Sequence, residues 1–308
     1  MNSEKHVVTG AFGLSGRYIA QRLLQQGIAV ATLTNTRPRL DAAGRDIFGG
    51  RVAAHPLNFA DTEALTRSLQ GATVLYNTYW VRFDHQRFTH EQAVRNTCAL
   101  FAAAKRAGVR RIVHVSITNA DASSDLPYFR GKGHIEAFLH GLDVPHSILR
   151  PAVLFGDNAI LLNNIAWILR RLPVFALFGD GRYRIEPIHV DDLAALAVKH
   201  GARTEASLTL DAKGPESYEY HEMVQAIARA IGCERRLVSV PPHIGYAIGR
   251  MLGAVMGDVV ITREEIRGLM AGLLATDAPP TAPTRLSEWL AANAHWLGQR
   301  YQSELARR

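Results

Sequence analysis

"VVTGAFGLSGRYIAQRLL" (residues 7–24) decides the fold. A β-branched run passes into glycines at 10, 13 and 16 and then into a helical pattern, so strand, turn and helix follow one another directly. Gly10 permits a sharp turn, Gly13 lets the backbone approach a pyrophosphate, and Gly16 allows the helix to pack closely on the strand. The helix N-terminus then offers unpaired N–H groups and positive dipole potential to the phosphates. The competing reading is a structural turn without ligand; the strand before it and the helix after it favour phosphate binding.

Outward from this turn, short β-branched runs alternate with helical patterns: strands at 6–9, 28–34, 51–57, 73–78, 111–117 and 146–150, and helices such as "QAVRNTCALFAAAKRAG", closed by Gly108. Such βαβ units in series predict an α/β fold, a Rossmann-type doubly wound parallel sheet. After Pro151 the pattern loosens into a smaller, mostly helical C-terminal substrate lobe. The expected division is a nucleotide-binding domain over 1–155 with a returning segment at about 183–212, and a lobe made of 156–182 and 213–308.

The chain has 308 residues, 47% hydrophobic and 20% charged, enough for one large domain with a lobe. Its two cysteines, Cys98 and Cys233, exclude a disulfide framework and point to a reducing compartment. With no basic-then-apolar leader before the first strand, the expected location is cytoplasmic. The net charge of +7 is spread in ones and twos, which argues against a nucleic-acid partner. No apolar run reaches the roughly 18 residues of a membrane span. Among the thirteen histidines none has metal-ligand spacing with an acid, so no metal is expected; His114 and His189 read as structural.

An NAD-preferring site carries an acid at the end of the second strand. Here the chain reads "LTNTRPRL" (33–40), where Asn35, Thr36 and Arg37 suit a 2′-phosphate, so NADP(H) is expected over NAD(H). Further on, "SSDLPYFRGKGHIEAFL" (123–139) sets Tyr128 and Lys132 a turn apart, with Ser124 or Asp125 as cap and Pro127 in the first turn. Gly131 and Gly133 flank the lysine, each at a cost of roughly 1 kcal/mol to the helix, which hints at a close backbone approach.

The glycine turn, "PLNFAD" (56–61), a Ser-bearing fifth strand, YxxxK, "LRPAVLFG" and "FGDGRYRIEPIHVDDLA" together resemble the extended and atypical short-chain dehydrogenase/reductases over about residues 5–215, most closely the NmrA-like and complex I accessory-subunit branch. The resemblance implies that Gly10, Phe12, Gly13 and Gly16 hold the pyrophosphate, that Asn58 and Phe59 sit beside the adenine, and that the backbone at Pro151 and Val153 meets the nicotinamide. Asn58 stands where the family usually has Asp. Tyr128 is implied as the acid/base, with Lys132 binding the nicotinamide ribose and lowering the phenol from its ordinary value near 10. Ser116 and Thr118, separated by Ile117 where many relatives carry a second Ser, are the candidate carbonyl-polarising hydroxyls.

After the fourth strand, Tyr79, Trp80 and Arg82 either line a substrate pocket, with Arg82 meeting an anionic group, or pack the sheet edge. Asp191 and Asp192 read as helix caps. Gly245, Gly249, Gly253 and Gly257 form a small-residue stripe, read as a soluble packing seam, a cleft cover or a homodimer contact, with peripheral membrane contact as the minority option. Two functions follow: an NADP(H)-dependent oxidoreductase acting on a small-molecule carbonyl or alcohol, alone or within an epimerase or dehydratase cycle, and a non-catalytic NADP(H)-binding redox sensor or assembly subunit.

Overall fold

The computed structural model describes residues 4–35, 40, 44–85 and 88–307. The chain divides into two compact units, one made of the stretch up to Pro151 with Val190–Ala212, the other of Ala152–His189 with the stretch from Lys213 onward. The first unit begins β1 (Lys5–Thr9), α1 (Leu14–Gln25), β2 (Ala29–Leu33), β3 (Val52–His55), α2 (Thr62–Leu69), β4 (Ala72–Asn77), α3 (His90–Arg106), β5 (Arg111–Val115), α4 (Pro127–His140) and β6 (His146–Pro151). The chain passes into the second unit with β7 (Val153–Phe155), α5 (Ile160–Arg171), β8 (Val174–Phe178), β9 (Arg184–Ile185) and β10 (Pro187–His189), then returns with α6 (Val190–Gly201) and β11 (Leu208–Ala212).

The seven strands of the first unit lie in the order β11-β6-β5-β4-β1-β2-β3, every neighbouring pair parallel. This is the expected doubly wound sheet. Its inner strands are apolar on both faces, with Val7, Leu33, Leu75, Ile112 and Ile148 fully enclosed, because helices cover each side. The winding reverses between β1 and β4, the point at which open α/β sheets bind ligands beyond the strands' carboxyl ends. Thr89 caps α3 by accepting from Gln92 N at 3.1 Å, and Gly108, at φ +77°, follows its end as expected. Asp191 and Asp192 fall inside the first turn of α6 rather than at its cap, and Asp191 takes a two-pronged ion pair from Arg22 of α1, at 2.7 Å on each oxygen.

The unit boundaries at 151 and 190 differ from the expected 155 and 183. The reason is that β7 leaves the large sheet and pairs in parallel with β10.

The second unit continues with β12 (Tyr218–Glu219), α7 (Tyr220–Ala230), β13 (Arg236–Val240), α8 (Pro242–Met256), α9 (Arg263–Met270) and α10 (Leu286–Asn293). Phe155, Leu162, Leu169, Met223, Ile227 and Leu286 form its core. Helices are its main regular structure, with three two-stranded ribbons in addition: β7–β10, β8–β13 and β9–β12. The glycine stripe of α8 is filled from within this unit. A Cβ at Gly245 would stand 2.5 Å from Phe178, at Gly249 2.7 Å from Ile261, and at Gly253 2.5 Å from the Asp258 carbonyl. Gly257 leaves the stripe and closes the helix in the left-handed conformation. Among the described residues, no helix is long and apolar enough to cross a membrane.

Candidate functional site

The glycine turn joins β1 to α1 at the winding reversal. Gly10 has φ +64°, a conformation glycine adopts without strain, and its N–H donates to Leu33 O at 3.0 Å. Gly13 is the N-cap of α1 with no side chain bonded there, and the first helical turn carries no acid. A Cβ at Gly16 would lie 2.2 Å from Gly10 O, so helix and turn touch backbone to backbone. These features fit a pyrophosphate: a helix N-terminus without a side-chain cap, positive helix potential and no competing carboxylate. The turn is also braced from below. Thr32 Oγ1 accepts from Ala11 N at 3.0 Å and donates to Val8 O at 2.8 Å. Thr9 Oγ1 accepts from Thr78 N at 2.8 Å and Tyr79 N at 3.1 Å, fixing the segment after β4.

The α4 residues gather at the end of β5. Leu126 is the N-cap without a side-chain bond, correcting the expectation for Ser124 or Asp125; Ser124 Oγ instead accepts from Leu126 N at 3.2 Å within the preceding loop. Tyr128 is half-buried, and Lys132, one turn on, is 2% exposed. The Lys132 ammonium donates to Val115 O at 2.8 Å and lies 4.5 Å from the centre of the Trp80 ring. Burial pushes its pKa from 10.5 down to about 7, partly opposed by the carboxylate of Glu136 a further turn along. Glu136 is itself buried. It accepts from Ser116 Oγ at 2.5 Å and is gripped by the Arg150 guanidinium, whose Nε stands 3.0 and 3.1 Å from the two oxygens. Thr118 is fully buried, and its N–H donates to Pro151 O at 3.0 Å. Both flanking glycines are close approaches: a Cβ at Gly131 would lie 2.9 Å from Trp80 Cη2, and one at Gly133 2.2 Å from Ala122 N.

The sequence model of a family described as NAD(P)H-binding matches residues 10–163, from the turn into α5. The chain belongs to this family of extended, NmrA-like short-chain dehydrogenase/reductases. It is 27% identical, over 84% of its length and 68% of the relative's, to the mitochondrial NADH-ubiquinone oxidoreductase 40 kDa subunit of Neurospora crassa. It is 25% identical, over 88% and 70%, to the mitochondrial NADH dehydrogenase 1 alpha subcomplex subunit 9 of Arabidopsis thaliana. Among solved structures, an NADPH-dependent quinone oxidoreductase of Escherichia coli superimposes with a TM-score of 0.73 at 19% identity, covering 93% of this chain and 98% of that one, a likeness of fold.

In this short-chain dehydrogenase/reductase, several of the groups that the resemblance assigns to the cofactor are engaged within the protein. The amide of Asn35 pairs with both backbone groups of Leu57, at 2.7 and 3.0 Å, and so staples β2 to the segment after β3. Thr36 and Arg37 lie outside the described residues. Asn58 is exposed and accepts from Ala60 N at 3.0 Å, while Phe59 packs against Tyr79 with ring centres 4.9 Å apart. Phe12 packs on Phe48 at 5.7 Å. The Pro151 carbonyl is taken by Thr118, and Val153 belongs to the second unit, paired with Pro187.

The bulky segment after β4 splits. Tyr79 OH accepts from Asn96 at 2.9 Å and burial raises its pKa, so it packs; Arg82 lies over the Phe83 ring at 5.6 Å; Trp80 lies on Lys132. His114 accepts from Asn77 Nδ2 at 3.0 Å, and burial together with Lys132 holds its imidazole neutral. Sequence reasoning missed Glu136, Arg150, Thr32 and His90. His90 opens α3, with Nδ1 3.0 Å from Asp84, and stacks on Trp80 at 5.7 Å. Of these, Glu136 had one available signal: an acid four residues after Lys132 on the same helical face.

Proposed function

We propose that this chain binds NADP(H) in preference to NAD(H) and transfers a hydride at a carbonyl or alcohol carbon of a small molecule, alone or within an epimerase or dehydratase cycle. The observation that carries it is Lys132, buried at the end of β5 one turn from Tyr128, in a unit whose glycine turn is bare of side-chain caps. When bound, the reduced dinucleotide would supply the hydride for reduction and the oxidised one would accept it in oxidation. Tyr128 gives the proton to the substrate oxygen in reduction and takes it back in oxidation, Lys132 orients the ribose and tunes the phenol, and, since the Ser116 proton goes to Glu136, Thr118 is the hydroxyl that holds the substrate oxygen. The absence of any acid over 33–40 favours the phosphorylated cofactor. Trp80 and Arg82 stand as pocket residues, while Tyr79 packs against Phe59 and Asn96. The unpaired Cys98 and Cys233 suit a reducing compartment, such as the cytoplasm or the mitochondrion named for the two relatives.

A second reading, an NADP(H)-binding sensor or assembly subunit without turnover, is favoured by the Ser116 hydroxyl being committed to Glu136 and by the two relatives being named as respiratory-complex subunits. Calorimetric titration with NADPH and NADH, followed by a carbonyl panel, separates them. Tyr128→Phe with intact NADPH affinity and lost turnover supports the enzyme. No turnover, with a protein partner binding one redox form alone, supports the subunit. Tighter binding of NADH than of NADPH overturns the cofactor preference.

A further inference from the structure

An indole lies against the Lys132 ammonium. The Trp80 ring centre stands 4.5 Å from the ammonium, a distance at which the ring quadrupole attracts it. Three neighbours seat the indole. His90 stacks on it at 5.7 Å with planes 24° apart, Tyr128 meets it edge-on at 5.6 Å and 83°, and Gly131 leaves room for its tip, since a Cβ there would lie 2.9 Å from Cη2. Glycine inside a helix costs roughly 1 kcal/mol relative to alanine, so α4 gives up stability at 131 where the indole needs the space. His90 is held in turn at the start of α3, its N–H donating to Asp84 Oδ1 at 2.7 Å.

We propose that Trp80 is a specificity-determining residue of the cofactor site: its indole covers the Lys132 ammonium, and a dinucleotide engages Lys132 only by displacing it. The adenosine half of the cofactor, bound at the glycine turn, does not meet this barrier. Trp80 thereby sets how much of the dinucleotide's affinity comes from its nicotinamide half. The inference rests on the cofactor reading proposed above, and its test separates the two.

Binding is measured calorimetrically for wild type, Trp80→Ala and Gly131→Ala, with ADP and 2′,5′-ADP as adenosine-half probes and NADH and NADPH as whole cofactors. Gly131→Ala keeps the indole in the protein, pushes its tip from its seat and favours the helix, so it reports even where Trp80→Ala disturbs packing. The expected result is tighter binding of the preferred whole cofactor in both variants, by about five-fold or more, with adenosine-half affinity unchanged. The gain should vanish when Lys132→Met is added, an outcome that general loosening of the site would not produce. Adenosine-half binding in all three proteins with no tightening of the whole cofactor overturns the role of Trp80 and leaves the cofactor reading standing. Failure of every adenosine-half probe to bind wild type overturns both.

Discussion

Ser116 Oγ donates to the buried Glu136 carboxylate at 2.5 Å, and that bond limits what Ser116 can do for a ligand. A serine hydroxyl carries one proton, and a carboxylate gripped by Arg150 is an acceptor, so Ser116 is left with lone pairs and nothing to donate to a carbonyl. Ser116→Ala is therefore expected to lower stability by about 1–2 kcal/mol through the lost charge-assisted bond, while kcat falls less than about tenfold. Denaturant titration and steady-state kinetics on the same variant check this. A loss near a hundredfold in kcat with unchanged stability would put Ser116 back on the substrate oxygen.

Lys132 ties stability to pH. Its pKa falls from 10.5 to about 7 on folding, mainly through burial. Below about pH 7 it is charged in both states and the fold carries the burial penalty. Between about 7 and 10.5 the unfolded chain binds more protons, so stability rises with pH across that window. Lys132→Met should accordingly stabilise the protein most below pH 7, by a few kcal/mol at most, and its advantage should fade as pH approaches 10.5. Tm recorded for both proteins from pH 6 to above 10 tests this; a difference that stays constant across the range would contradict it.

Gly131 and Gly133 are two residues apart on one helix and should answer alanine differently. At 131 the close neighbour is the tip of a side chain, which can turn away. At 133 it is backbone: Ala122 N at 2.2 Å and Asp121 C at 2.3 Å. Helix propensity alone would favour alanine at either position by about 1 kcal/mol. Gly133→Ala should instead lose at least about 2 kcal/mol, because the loop over 121–122 has to move off the helix. Equal unfolding midpoints for the two variants would show that the loop yields as easily as the indole.

These cases show which parts of the molecule were legible in its sequence. The turn at 10–16 was readable because residue type dictates backbone conformation there, and Tyr128 and Lys132 were readable because a helix fixes their spacing. Trp80 and Lys132 are 52 positions apart and meet only through folding, so their contact left no local trace. The same holds for Thr32 beneath the turn and for Ser116 reaching Glu136. In sequence Asn35 suits a cofactor ligand or a structural staple equally, since an amide at a strand end can serve either role; the position of Leu57 shows the staple. Strands β11, β12 and β13 escaped because they run two to five residues and are largely half-exposed, too little for a period-2 pattern to stand out.

The second unit holds a buried ion pair whose removal should be costly. Lys213 Nζ lies 2.8 Å from Glu186 Oε1, with the two side chains 8% and 1% exposed. Lys213 also donates to Thr276 O at 3.0 Å, and Glu186 Oε2 accepts from Thr276 N at 3.0 Å, so the pair pins the proline-rich loop that follows α9. Glu186→Gln leaves the ammonium enclosed without its counter-charge and should lose about 3–5 kcal/mol. Arg184, which also reaches Glu186, is half exposed and can turn to solvent, so Lys213 carries the penalty. Adding Lys213→Met removes the stranded charge and should recover at least half of the loss, since a buried pair is worth little against apolar groups of similar size. Unfolding of the two single variants and the double variant in denaturant completes the cycle; a single-variant loss under about 1 kcal/mol would mean that water reaches Lys213.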